Sequence, residues 1–99
     1  MPKSSYRDRI LQEAWIGDAV LSLYARSKIL QENGRVDGSR LTLMTSNQFL
    51  SALGEPSEVE AELGRTYQQH GLESAFTWIE ARIIPLFNKQ EANRLRKGK

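Results

Sequence analysis

The chain is expected to fold as an all-α domain of four to five helices. Three observations point there. Apolar residues recur at spacings of three, four and seven along most of the length, cap and stop residues punctuate it at helix-sized intervals, and no segment reads as a strand. The whole chain, 1–99, reads as one domain with a basic tail at 89–99.

The first helix opens at Ser5, a good N-cap, with Asp8 three positions on as its capping-box partner. Ile10, Ala14, Gly17, Leu21 and Tyr24 then mark one face. Leu11, Trp15, Val20 and Leu23 fall on adjoining positions. Asn33-Gly34 supplies a left-handed stop, so the helix should reach about Gln31. Gly17 in its interior costs about 1 kcal/mol relative to Ala, which points to close approach of another helix. Asp37-Gly38-Ser39 makes a turn and a second cap. A second helix follows, with Leu41, Met44, Thr45, Phe49, Leu50 and Leu53 on one face. Gly54-Glu55-Pro56-Ser57 ends it and starts a third, with Pro56 or Ser57 near the first turn. That helix passes through Val59, Leu63, Thr66 and Tyr67 to His70-Gly71. The fourth covers Leu72 to Ile84, with Ala75, Phe76, Ile79 and Ile83 inward. Pro85 breaks or kinks it, and Leu86-Phe87 can begin a short last helix.

A chain of 99 residues buries only about 60–65% of its unfolded surface, and association into a dimer is a common remedy for so thin a core. Hydrophobic residues make up 39% and charged residues 26%, ordinary for a soluble domain. No run approaches the roughly 18 apolar residues of a membrane span. No signal-peptide pattern opens the chain. There is no cysteine, so disulfides and thiolate metal sites are ruled out. These features fit a cytoplasmic location. Residues 89–99 carry Lys89, Arg94, Arg96, Lys97 and Lys99 against Glu91, a net +4, so residues 1–88 sum to −2 within the whole-chain +2. Such a tail can touch phosphates. It can equally be a frayed, solvated end with cations near a helix terminus.

Two acids carry the chemistry. Asp18 has Leu11, Ala14, Trp15, Leu21, Ser22 and Ala25 as helical neighbours, nearly all apolar or small. A charge on such a core-facing stripe is costly unless paired or metal-bound. Glu60 sits likewise among Ser57, Leu63, Gly64 and Tyr67. Brought together, they would form a hard oxygen site suited to Mg²⁺ or Mn²⁺. The acids lie 42 positions apart, which is not in itself a motif, and buried acids are more often salt-bridged. His70, the single histidine, reads as a helix-end residue. The aromatics Trp15, Tyr24, Phe49, Tyr67, Phe76, Trp78 and Phe87 fall mostly at core spacing. Lys3, Arg7 and Arg9 form a small basic start.

Ala14-Trp15-Ile16-Gly17-Asp18-Ala19-Val20-Leu21 resembles the ribonuclease III signature. Thr45-Ser46-Asn47-Gln48-Phe49-Leu50 resembles a second block of that family. Val59 through Tyr67, followed by Gly71-Leu72-Glu73-Ser74-Ala75, resembles its second acidic helix and the start of its last helix. The blocks occur in the family's order and cover most of residues 11–84. The resemblance implies an all-helical, obligately homodimeric, divalent-metal-dependent endonuclease of double-stranded RNA. It implies Asp18 and Glu60 as catalytic metal ligands, with Ser57 and Asn47 in support. Where full-length members place two more acids, this chain has Ala14 and Ser57. In both respects it is similar to the mini-ribonuclease III branch, which lacks a double-stranded-RNA-binding domain and trims ribosomal RNA precursors. The interval from Asp18 to Glu60 is shorter than in that branch.

The leading expectation is therefore a cytoplasmic, homodimeric, Mg²⁺- or Mn²⁺-dependent endoribonuclease acting on double-stranded or structured RNA, with ribosomal RNA processing as a candidate role. Arg7, Arg9, Arg40, Arg94, Arg96 and Lys97 are its candidate phosphate contacts, and recognition is of A-form shape. The alternative is a non-catalytic dimeric RNA-binding or ribosome-associated module that kept the fold. A third reading is a helical interaction domain without RNA, which predicts no salt-dependent RNA affinity.

Overall fold

The computed structural model describes residues 5–97. Among them the architecture is all-helical: α1 Tyr6–Asn33, α2 Gly38–Thr45, α3 Asn47–Leu50, α4 Pro56–His70, α5 Leu72–Arg82 and α6 Ile84–Lys97. The body is elongated, 56 × 25 × 22 Å. Helix α1 runs through it and packs most extensively on α4, which in turn packs on α5.

The start of α1 follows from its capping box. Ser5 Oγ accepts from the Asp8 N–H at 3.1 Å, and the Asp8 carboxylate accepts from the Ser5 N–H at 3.4 Å. Gly34 ends the helix at φ 73°, its N–H donating to the Leu30 carbonyl at 2.9 Å, so α1 extends two residues past the expected Gln31. Helix α2 is capped by Asp37, whose carboxylate accepts from the Arg40 N–H at 3.0 Å.

The expected second helix is divided. Ser46 adopts an extended conformation (φ −69°, ψ 152°), and its Oγ accepts from the Phe49 N–H at 3.1 Å. The same residue thus closes α2 and opens the single turn of α3, because a serine hydroxyl competes with the helical ladder for backbone donors. At α4, with Pro56 and Ser57 in the first turn as expected, the side-chain cap is Glu55: its carboxylate accepts from the Glu58 N–H at 2.9 Å. Pro56 occupies the first position, where its missing N–H costs nothing. The helix ends at His70, and Gly71 at φ 94° supplies the turn. Pro85 lies in the first turn of α6, so the chain bends between Arg82 and Ile84 and then continues for 14 residues. Much of the basic tail is therefore helical, in place of the expected short terminal helix.

The centre is formed by Leu21, Met44, Leu50, Leu63, Ile79, Ile83 and Phe87, all fully buried. Phe49 and Phe87 meet edge-to-face at 5.8 Å, as do Tyr24 and Phe76 at 5.1 Å. Polar clamps also join helices near the surface, among them the Tyr24 hydroxyl of α1, which donates to Glu80 of α5 at 3.2 Å. Arg65 donates to Glu13 at 2.9 Å between α4 and α1. The Trp78 indole N–H donates to Glu62 at 2.8 Å, and Arg82 stacks on the Trp78 ring while reaching the same carboxylate at 3.3 Å. Arg40 binds Glu91 at 2.7 Å and lies over the Phe87 ring at 5.1 Å. Phe87 is the main apolar anchor of α6. Phe87→Ala is expected to cost about 3–5 kcal/mol and to release α6, read as a lower thermal midpoint and rapid amide exchange over residues 84–97.

The aromatic pattern is corrected in two places. Trp15 is 79% exposed and Tyr67 39% exposed, although both fall at core spacing. Helix α1 carries apolar residues on more than one face, and only the face holding Ala14, Gly17, Leu21, Tyr24 and Ala25 is covered. No helix among the described residues is long and apolar enough to cross a membrane.

Candidate functional site

The site begins with the crossing of α1 and α4. Ala14 and Gly17 on α1 and Ala61 and Gly64 on α4 are all buried. A Cβ added at Gly17 would strike the Glu60 carbonyl and come within 3.0 Å of the Gly64 nitrogen; one added at Gly64 would strike the Glu13 carbonyl and come within 3.0 Å of the Gly17 nitrogen. Each glycine thus rests on a hydrogen-bonded turn of the other helix. Both glycines serve close backbone approach, as expected for Gly17.

This crossing brings Asp18 and Glu60 together. Asp18 directly follows Gly17, and Glu60 is the residue whose carbonyl Gly17 contacts. Asp18 is exposed and Glu60 half-buried, which corrects the expectation of a core-facing Asp18: it stands at the rim of the packed face, open to solvent. The two carboxyls are within hydrogen-bonding reach of one another. Burial pushes the Glu60 carboxyl up from 4.5 to about 7, aided by its hydrogen bond to Asp18, the Asp18 charge and the nearby Glu55 charge. At neutral pH Glu60 is thus protonated in about half of the molecules, and in that form it donates to Asp18. No cation of the described residues forms an ion pair with either acid.

Ser57 is half-buried one turn before Glu60. It lines a cleft of about 430 Å³ with Tyr6, Arg7, Ile10, Leu11, Glu55 and Glu58, where the start of α1 meets the start of α4. Asn47 is exposed in the first turn of α3, and its side chain makes no hydrogen bond to either acid. Among the described residues no group of three or more His, Asp or Glu is assembled for a metal. The donor set is therefore two carboxylates plus solvent. That fits Mg²⁺, which keeps several waters and is commonly held by one or two carboxylates together with substrate phosphates. A divalent ion would also offset the Asp18 and Glu55 charges, which add to the burial of Glu60 in holding its carboxyl up.

Of the candidate phosphate contacts, Arg7, Arg9, Arg94 and Arg96 are exposed. Arg40 is committed elsewhere: its guanidinium is shared between Glu91 at 2.7 and 3.4 Å and Glu32 at 3.9 Å. It acts as a strut between α2 and α6, a role hidden from sequence because Glu91 lies 51 positions away. The side chain of Lys97, and all of Lys3 and Lys99, lie outside the described residues. Glu55 is the residue that sequence reasoning passed over. Both its capping role and its field on Glu60 follow from its place immediately before Pro56.

The Glu60 shift has a consequence for stability. A carboxyl whose pKa is raised in the fold favours the native state below its unfolded value of 4.5 and loses that advantage as pH rises through about 7. Metal-free protein is therefore expected to lose stability between those limits, and Glu60→Gln should flatten the curve. Thermal midpoints at several pH values in chelator check this. Compared with protein-family models, with curated proteins and with solved structures, the chain finds no match.

Proposed function

We propose that the chain is a divalent-metal-dependent endoribonuclease of the ribonuclease III type, active as a homodimer on double-stranded or structured RNA. One observation carries this reading: Asp18 and Glu60, from separate helices, meet at a solvent-open point with no cation of their own. Resemblance of three ordered sequence blocks to ribonuclease III supports the substrate class. Bound there, Mg²⁺ or Mn²⁺ would neutralise charge on a phosphodiester and lower the pKa of a water nucleophile. Asp18 and Glu60 would hold the cation. Glu60 must give up its proton to do so, so cleavage should rise with pH towards about 7. Ser57, one turn before Glu60, would orient a water. Arg7 and Arg9 would hold phosphates near α1, while Arg94 and Arg96 would do so from α6.

The test is cleavage of a duplex RNA by purified protein with Mg²⁺, Mn²⁺ or chelator. Metal-dependent products ending in 5′-phosphate and 3′-hydroxyl are expected. RNA binding without cleavage under any metal would end the enzymatic reading. A second reading, a dimeric RNA-binding module that kept the fold, has one observation behind it. Ala14 is buried in the helix crossing and Ser57 offers only a hydroxyl, so two acids stand where the family uses four. That reading expects salt-dependent RNA affinity indifferent to Asp18→Asn.

A further inference from the structure

The α1–α4 crossing has two rims. Asp18 and Glu60 stand on one. On the other, Arg65 Nη1 lies 2.9 Å from Glu13 Oε1, the one ion pair that joins α1 to α4 among the described residues. Helix geometry puts it there. Glu13 comes five residues before Asp18, and Arg65 comes five residues after Glu60. Each therefore lies about 140° around its helix from the acid. The buried residues of the contact, Ala14 and Gly17 on α1 and Ala61 and Gly64 on α4, fall inside those two arcs.

Between the rims nothing interdigitates. Gly17 rests on the Glu60 carbonyl and Gly64 on the Glu13 carbonyl. Elsewhere side-chain ridges seated in grooves resist the rolling of one helix over another, and two facing glycines supply no ridge. The acid rim works against itself, because carboxylates at hydrogen-bonding distance repel once both are ionised. The Glu13–Arg65 rim attracts, and it grips the contact directly. Glu13 supplies the carbonyl beneath Gly64, and Arg65 is the next residue after that glycine.

We propose that the Glu13–Arg65 ion pair is a counter-clamp: acting across the glycine contact, it holds Asp18 and Glu60 at the separation a divalent cation needs. Glu13 and Arg65 are positioning residues, since they act through the two acids. This rests on the reading of Asp18 and Glu60 as metal ligands, and adds the means by which two repelling groups stay together before the cation arrives. Both clamp side chains are half-buried, so water reaches whichever partner is left after one is removed, and the fold persists.

The first measurement is Mn²⁺ affinity, by calorimetric titration of folded protein without RNA. Arg65→Ala is expected to weaken binding at least about tenfold, as loss of an outer partner does at metal sites. Arg65→Lys, which keeps a cation for Glu13, should bind nearly as the parent does. The sign discriminates. Removing a positive charge strengthens cation binding through the field alone, and a pair that only stabilised the fold would leave affinity unchanged. Mn²⁺ bound by Arg65→Ala as tightly as by the parent, or more tightly, would overturn the proposal. The second measurement needs no metal. At about pH 9 both acids are ionised, and a double-mutant cycle of Asp18→Asn and Glu60→Gln on denaturant unfolding reads their repulsion. A coupling of about threefold or more in the folding constant is expected in the parent, and almost none in the Arg65→Ala background. No coupling in the parent, or the same coupling with and without Arg65, would also overturn it. A parent that binds no Mn²⁺ ends the nuclease reading, and the metal-free cycle then decides the clamp by itself.

Discussion

Asp18→Asn and Glu60→Gln are each expected to reduce metal-dependent RNA cleavage at least about 100-fold while the helical spectrum stays unchanged. Several kcal/mol of charge stabilisation depend on the cation these acids would hold, and each 1.36 kcal/mol is tenfold in rate. Asp18 is exposed, so its amide should fold without an orphaned buried group. Glu60→Gln removes a carboxyl that burial and its acidic neighbours disfavour in charged form, so at neutral pH it should raise the thermal midpoint of metal-free protein. Loss of activity with gain of stability is what a functional carboxylate produces when its geometry serves chemistry at the expense of the fold. Single-turnover cleavage with excess enzyme, beside thermal melts in chelator, separates the two effects. Cleavage at parental rates in both variants would exclude this pair as the metal site.

Gly64→Leu is expected to unfold the protein or to cost at least about 3 kcal/mol, at the upper end of overpacking penalties. The first added atom alone would meet the Glu13 carbonyl, which is helix backbone and cannot rotate aside. Gly64→Ala should be milder but clearly destabilising, and Gly17→Ala should match it because the Glu60 carbonyl blocks that Cβ in the same way. Glycine to alanine inside a helix ordinarily stabilises by about 1 kcal/mol, so the sign of the change discriminates. Denaturant unfolding of the alanine variants gives that sign. A stabilised Gly64→Ala protein would mean that the helices are farther apart than the crossing implies.

Local signals were legible in the sequence because they act over a few residues. Ser5 with Asp8, Gly34, Asp37 and Gly71 all begin or end helices as their chemistry requires. Gly17 was readable as a point of close approach. The meeting of Asp18 with Glu60 was reached through the resemblance and not through spacing, since a separation of 42 positions leaves the packing of α1 on α4 undetermined. What stayed hidden depended on partners distant in sequence or on a choice between equals. Periodicity marks Leu11, Trp15 and Leu23 as apolar in a helix that is also apolar at Leu21 and Tyr24, and it cannot say which face is covered. Arg40 looked available for phosphate until Glu91 and Glu32 were found around it. The division at Ser46 was missed because Thr45, Phe49 and Leu50 keep helical spacing across it.

At the α1–α4 crossing, main chain rests on main chain with no side chain between. Repacking of the apolar interior by volume-conserving substitutions can therefore proceed at Leu21, Leu63 or Ile79 without altering the separation of the two carboxylates. Inserting one residue between Gly17 and Asp18 would by contrast swing all that follows about 100° around the helix, carrying Leu21, Tyr24 and Ile29 out of the interior along with Asp18. The spacing of the two acids is thus tolerant of side-chain repacking and intolerant of a change in the length of α1.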